Sequence, residues 1–197
     1  MHYTNFAEFK GGLLEAGFPG ADGKSDTKID ILFEYYRHAR GQRNLTLGRL
    51  ADTQPLREKL GSAFDGGTAQ LLLTPKASGF SSQAPASGKK SVQDQMESLL
   101  GKRWSIWLND SFILGGIHSH VPFTLVSDIS DYEDPNADFT FNVTQRELIG
   151  LITFGYERGD PTAGGAQYKC TNTVLADGAT FRAYVDQMKL WVTAAKS

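Results

Sequence analysis

The stretch "RWSIWLNDSFILGGIHSHVPF", residues 103–123, decides how this chain is read. It holds two apolar runs separated by Asn109-Asp110. A short polar break between apolar runs of strand length is a hairpin signal, although Asp-Ser is a weaker turn than Asn-Gly. "PFTLVS", 122–127, continues the pattern, so residues 103–127 are expected to form a meander in the core sheet. On a strand, Trp104 and Trp107 fall three apart and face opposite sides.

Upstream, the signals are helical. "TNFAEFKGGLLEAG" (4–17) has a cap at Thr4 or Asn5 and a stop at Gly17. "SDTKIDILFEYYRHARG" (25–41) places Ile29, Leu32, Phe33 and Tyr36 on one face. A third helix is expected over 53–64 and a strand over 68–75. Residues 76–90, rich in Ser, Ala, Gly and Lys, read as a flexible loop. Ser91 and Asp94 open a helix that Gly101 ends. Downstream, "DFTFNV" (138–143) alternates as a strand. Thr144 and Glu147 form a capping box before "QRELIGLITFGY". The Gly-rich stretch 159–167 reads as a loop, "YKCTNTVL" (168–175) as a strand, and Asp177 as the cap of a last helix over 179–196.

Helices and strands come in runs rather than strict alternation. The expected class is α+β, with a helical N-terminal part and a mostly antiparallel sheet flanked by helices. Residues 1–197 are expected to be a single α+β domain. The subdivision open to it is a helical part (1–75), a flexible loop (76–90) and a sheet-plus-helix part (91–197).

Several function classes are disfavoured by composition. A formal net charge of -2 argues against a broad nucleic-acid footprint, so no nucleic-acid partner is expected. No run approaches the roughly 18 apolar residues of a membrane span, and no basic-then-apolar leader opens the chain. Synthesis in the cytoplasm is expected, with export by a machine that needs no signal peptide compatible with the sequence. The single cysteine, Cys170, allows no internal disulfide and no multi-cysteine zinc site, and within an apparent strand it reads as a small core residue. Neither the dinucleotide-binding nor the P-loop glycine pattern occurs.

The chemistry-bearing feature is the histidine pair His118 and His120. Residues i and i+2 of a strand point the same way, so both imidazoles are expected on one side, able to share a metal ion. Pro122 makes an early strand end the competing possibility. Asp128, Asp131, Glu133 and Asp134 follow as candidate third ligands. Here "HSHVPFTLVSDISD" resembles the JAMM (MPN-plus) metalloproteases, which carry a His-x-His pair and an aspartate eleven residues on, the position of Asp131. The chain departs from that pattern at the proline, displaced to Pro122. It departs again at the serine, where Asp128 stands, and no upstream glutamate matches convincingly, Glu97 being the nearest. The resemblance implies zinc held by His118, His120 and Asp131. A bound water, made acidic by the cation, would be the nucleophile, with Glu97 or Glu157 as general base. The other reading is structural: the two histidines end a strand and hydrogen-bond to a neighbouring loop. Glu157, in "GYERGDPTAGG", is likewise either a hydrolytic carboxylate or part of a solvated turn.

A second resemblance spans "WLNDSFILGGIHSHVPFTLVS" and "VTQRELIGLITFGY". These segments look like small bacterial proteins found with secretion-system effectors and polymorphic toxins. The expectation is therefore a small effector- or toxin-like enzyme, hydrolytic, with catalytic His118, His120 and Glu157 and a protein partner or substrate. The alternative is a non-enzymatic binding module, such as an immunity, adaptor or inhibitor protein.

Overall fold

In the computed structural model of the chain, residues 2–19, 25–48, 104–128, 143–162 and 165–195 are described. The features expected over 53–64, 68–75, 76–90, 91–101 and 138–142 lie outside them, as do Asp131 and Glu97.

The described elements follow in the order α1 (Phe6–Glu15), α2 (Ser25–Arg40), β1 (Leu45–Leu47), α3 (Trp104–His118), β2 (Phe123–Leu125), α4 (Val143–Thr153), β3 (Tyr156–Thr162), β4 (Gly165–Cys170), α5 (Thr173–Asp177) and α6 (Phe181–Ala195). The class is α+β, as expected. The four strands lie in the order β1-β2-β4-β3, with β1 parallel to β2 and the other neighbours antiparallel, so the sheet is mixed.

The N-terminal helices form where their signals lie. Asn5 caps α1, its side chain accepting the Glu8 N–H at 3.0 Å. Gly17 follows at φ 93, while the Phe18 N–H reaches the Leu13 carbonyl, a left-handed helix stop that glycine adopts without strain. In α2, Ile29, Leu32 and Tyr36 are fully buried, as their spacing predicts.

The central stretch overturns its reading. Residues 104–118 are one α-helix and not a hairpin, and only 123–125 of the expected meander is strand. α3 packs against α2, α4, α5 and α6. A helix enclosed on all sides is apolar all round and carries no 3.6-residue stripe, so periodicity cannot separate it from strands. The polar break is buried rather than turned outward: Asn109, Asp110 and Ser111 are all in the interior. Ser111 satisfies its hydroxyl inside the helix, donating to the Trp107 carbonyl at 2.7 Å. Gly115 and Gly116 explain the close approach of α3 to its neighbours. A Cβ at Gly115 would collide with the Tyr36 carbonyl oxygen, and one at Gly116 with the Phe123 ring.

Four smaller expectations also change. The strand expected over 168–175 ends at Cys170, and Thr173–Asp177 is the short helix α5, capped by the Asn172 side chain. The Gly-rich stretch 159–167 is largely strand: β3 and β4 form an antiparallel hairpin, with an irregularity between Arg158 and Pro161 on the outer strand. A proline has no N–H for a ladder and is tolerated on such an edge. α4 starts at Val143, so Thr144 lies within it, and both Thr144 and Glu147 are buried. α6 is capped by Thr180, whose Oγ1 accepts the Ala183 N–H at 3.0 Å, whereas Asp177 ends α5.

One apolar core joins elements from before and after residues 49–103, from Phe9 and Tyr36 to Phe112, Phe123, Phe181 and Tyr184. Among the described residues no helix is long and apolar enough to cross a membrane.

Candidate functional site

The end of α3 sets the geometry of the histidine pair. The Val121 N–H bonds the Gly116 carbonyl at 3.0 Å and the His120 N–H bonds the Ile117 carbonyl at 3.0 Å. This is a Schellman stop with His120 in the position glycine usually takes. His120 has φ 53 and is the only left-handed non-glycine among the described residues. An L-residue there costs roughly 1–2 kcal/mol relative to glycine. The backbone thus turns sharply between His118 and His120, and the strand argument for parallel imidazoles does not apply.

The two rings have different surroundings. His118 is buried, and both its nitrogens are engaged: Nε2 lies 2.8 Å from the Ala179 carbonyl and Nδ1 2.7 Å from the Tyr36 hydroxyl. A carbonyl only accepts, so Nε2 carries the proton and Nδ1 accepts from Tyr36. Burial pushes the His118 pKa down to about 4, with the Ala179 hydrogen bond acting the other way. His118 is a neutral ring fixed in one tautomer, with no lone pair left for a metal. Removing its donor with Tyr36→Phe should cost about 1–3 kcal/mol, because a buried acceptor would be left unsatisfied. Urea denaturation of the variant measures this, and an unchanged midpoint would contradict the bond.

His120 is only partly covered, and its Nε2 lies 3.0 Å from Asp177 Oδ1. The same oxygen lies 3.0 Å from His2 Nε2. One imidazole from the N-terminal segment and one from the turn after α3 therefore converge on one carboxylate oxygen at the end of α5. The hydrogen bonds from His2 and His120 hold the Asp177 carboxyl below its ordinary pKa, His2 contributing most. An ionised carboxylate only accepts, so Nε2 of each ring donates.

His2 is delivered by its neighbour. Tyr3 is buried against Phe181 at 5.4 Å between ring centroids; its N–H donates to the Tyr36 hydroxyl, and its own hydroxyl accepts the Phe181 N–H. Arg40 donates to the Tyr3 carbonyl at 3.2 Å and to Ser119 Oγ at 3.4 Å, tying the N-terminal segment to the turn that carries His120. The His2 ring packs over His118 with centroids 4.9 Å apart. His118 is in this way the floor beneath the cluster.

Of the other expected site residues, Glu157 is described, and it lies elsewhere. Glu157 is exposed on β3, opposite Lys169 in the ladder. Its neighbour Tyr156 is buried and donates to the Val121 carbonyl at 3.0 Å. Alternation along the strand places Glu157 on the face away from the histidines. The Cys170 thiol is pushed up by burial, which suits a packing residue better than a nucleophile.

A second polar cluster, with no signal in the sequence beyond a charge inside an apolar run, lies between α3 and α4. Arg146 forks onto Asp110 at 2.8 and 2.7 Å, with Asp110 1 % exposed. The guanidinium also lies 5.5 Å from the centre of the Tyr184 ring, whose hydroxyl donates to the Arg146 carbonyl. Glu147, fully enclosed, has its pKa raised to about 8 by desolvation first and the Asp110 charge second. Unlike the histidine cluster, this network is shut inside the core.

The chain matches no family model, no curated protein and no solved structure.

Proposed function

We propose that the chain is a hydrolytic enzyme of the small effector-like kind, and that the His2–Asp177–His120 cluster is its water-activating site. One observation carries this reading: His120 occupies a helix-stop position that favours glycine, and its ring is turned onto a carboxylate that also holds a second histidine. Strain of this sort persists where the surrounding structure holds it, commonly at working sites. Because Asp177 accepts from Nε2 of both rings, Nδ1 is the basic nitrogen of each neutral ring. An imidazole held in one tautomer by a carboxylate is a general base for water, and a protonated one on the same carboxylate is an acid for the leaving group. Asp177 is the positioning residue. His118 supports the floor and takes no proton.

The test is His120→Gly, which removes the imidazole and relieves the left-handed backbone. The variant should fold with equal or greater stability and lose about a hundredfold in turnover. Chromogenic ester, peptide and phosphodiester substrates give the readout. Turnover equal to that of the parent chain, or no turnover by the parent on any of them, would defeat the proposal.

A different observation favours the second reading, a binding module. α5 exposes Val174 and Leu175, at 80 % and 47 %, on the short helix that ends in Asp177. Exposed aliphatic side chains beside a polar rim suit a protein partner. Under that reading Val174→Asp abolishes complex formation and His120→Gly does not.

A further inference from the structure

We propose that residues 2–4 are a strap whose closing switches the site on, with Tyr3 as its latch and Gly12 as the seat that lets it close. This rests on the reading of the cluster as the working site and names how that site is regulated.

The strap enters the fold through one side chain. Tyr3 is 7 % exposed, whereas Thr4 and Asn5 after it are open to solvent. The Tyr3 ring lies directly on α1. A Cβ at Gly12 would stand 2.5 Å from its hydroxyl oxygen and 2.6 Å from two of its ring carbons, so only glycine leaves this seat empty. Gly11, the next residue of the same helix, has nothing within 4 Å of such a Cβ. Glycine inside a helix is destabilising relative to alanine, and at position 12 the Tyr3 ring is the reason for it. The closed strap acts on both sides of the cluster. It brings the His2 imidazole to Asp177. It also heads a directed series of hydrogen bonds: the Tyr3 N–H donates to the Tyr36 hydroxyl at 3.2 Å, that hydroxyl to Nδ1 of His118 at 2.7 Å, and Nε2 of His118 to the Ala179 carbonyl at 2.8 Å, two residues past Asp177. Through Arg40 the Tyr3 carbonyl is joined to Ser119, beside His120. Tyr3 is thus a positioning residue that touches every segment of the site.

Opening the strap leaves the rest of the fold in place. Thr4 is held outside the core, its N–H and its hydroxyl each donating to Glu8 Oε2 at 2.8 Å, and the Asn5 side chain caps α1. These bonds survive when Tyr3 leaves its seat, so α1 keeps its first turn. A segment anchored by a single buried side chain opens at a lower free energy than the elements of the core. The open strap withdraws His2 from Asp177 and leaves the cluster one imidazole short, separating the base from its acid partner.

The experiment compares the full chain with four variants. Gly12→Ala fills the seat and Gly11→Ala is its control; Tyr3→Ala removes the latch and Tyr3→Phe keeps its ring. Nitrogen-15 spectra of the four histidines at about pH 8, assigned with His2→Gln and His120→Gly, read which ring nitrogen carries the proton. Turnover is followed on the chromogenic substrates named above. In the parent, His2 should show a ring protonated at Nε2. Its Tyr3 N–H should exchange with solvent at least about tenfold faster than the amides inside α3, at a rate that low urea does not change. Gly12→Ala and Tyr3→Ala should give His2 the averaged spectrum of an unbound ring and lower turnover at least about tenfold, with circular dichroism unchanged. Gly11→Ala and Tyr3→Phe should behave as the parent does. The strap is overturned by a His2 signature that survives both Gly12→Ala and Tyr3→Ala, by full turnover in a variant whose His2 is released, by equal losses in Gly11→Ala, or by Tyr3 exchange only through global unfolding. A Tyr3→Ala chain that does not fold also overturns it, because Tyr3 would then be core and not a latch. Each of these results leaves the hydrolytic reading standing. No turnover by the parent on any substrate overturns that reading and the regulation with it, while the spectra still show whether the strap is closed.

Discussion

Arg146→Ala should lower the folding free energy by about 3–5 kcal/mol, the cost of leaving a buried carboxylate without its partner. The Asp110 side chain is 1 % exposed and Arg146 13 %, and two short bonds join them. Burial alone works against the Arg146 charge, but the Asp110 carboxylate more than offsets it, so the guanidinium stays ionised. The single variant removes the guanidinium fork and its contact with the Tyr184 ring while Asp110 remains enclosed. Asp110→Asn/Arg146→Met, which removes both charges, should recover a large part of the loss, because much of the penalty is the orphaned charge and not the value of the pair. Urea denaturation of the parent, the single variant and the double variant gives the comparison. A single-variant loss below about 1 kcal/mol would mean that the pair behaves like one at the surface.

Glu147→Gln should stabilise the protein above pH 8 and have little effect near pH 4. The side chain is buried, and desolvation, followed by the Asp110 charge, raises its pKa from the ordinary 4.5 to about 8. The folded state therefore holds this proton more tightly than the unfolded chain. The stabilisation linked to it is complete below the unfolded pKa, declines as pH rises through the interval between the two values, and is gone above about 8. Glutamine keeps the shape and needs no proton. The variant's advantage should grow through that interval to on the order of 5 kcal/mol, each pKa unit being worth about 1.4 kcal/mol. Denaturation midpoints measured at pH 4.5, 6.5 and 8.5 settle the matter. Parallel pH profiles for the two proteins would show that Glu147 does not titrate across folding.

These clusters mark how far the sequence can be read. Asp110 reads as the turn of a hairpin because a charge between apolar runs has no other local explanation. It is helical because Arg146, 36 residues away, meets it in the interior. Thr144 and Glu147 read as a capping box because that motif is local, and their burial depends on what α4 packs against. The histidines are similar. Their presence at 118 and 120 is plain in the sequence, but which ring is locked and which is partly open is not. Tyr36 and Ala179 occupy both nitrogens of His118, while Asp177 and His2, 175 residues apart, gather around His120. No spacing rule connects positions 2, 120 and 177.

What the sequence by itself determined is the local and repetitive part. The α+β class, α1 with its Asn5 cap and Gly17 stop, the apolar face of α2, and the strand at 123–125 all follow from neighbours a few residues apart. The tertiary structure alone decided the central element and the site. α3 is surrounded on every side, so its apolar content carries no period. Asp110 and His118 are satisfied by distant partners, and His120 receives its orientation from a helix stop that forms only because residues 104–118 are a helix. Short-range pattern encodes which side of an element is apolar. It cannot encode an element with no outer side, or a carboxylate that arrives from the other end of the chain.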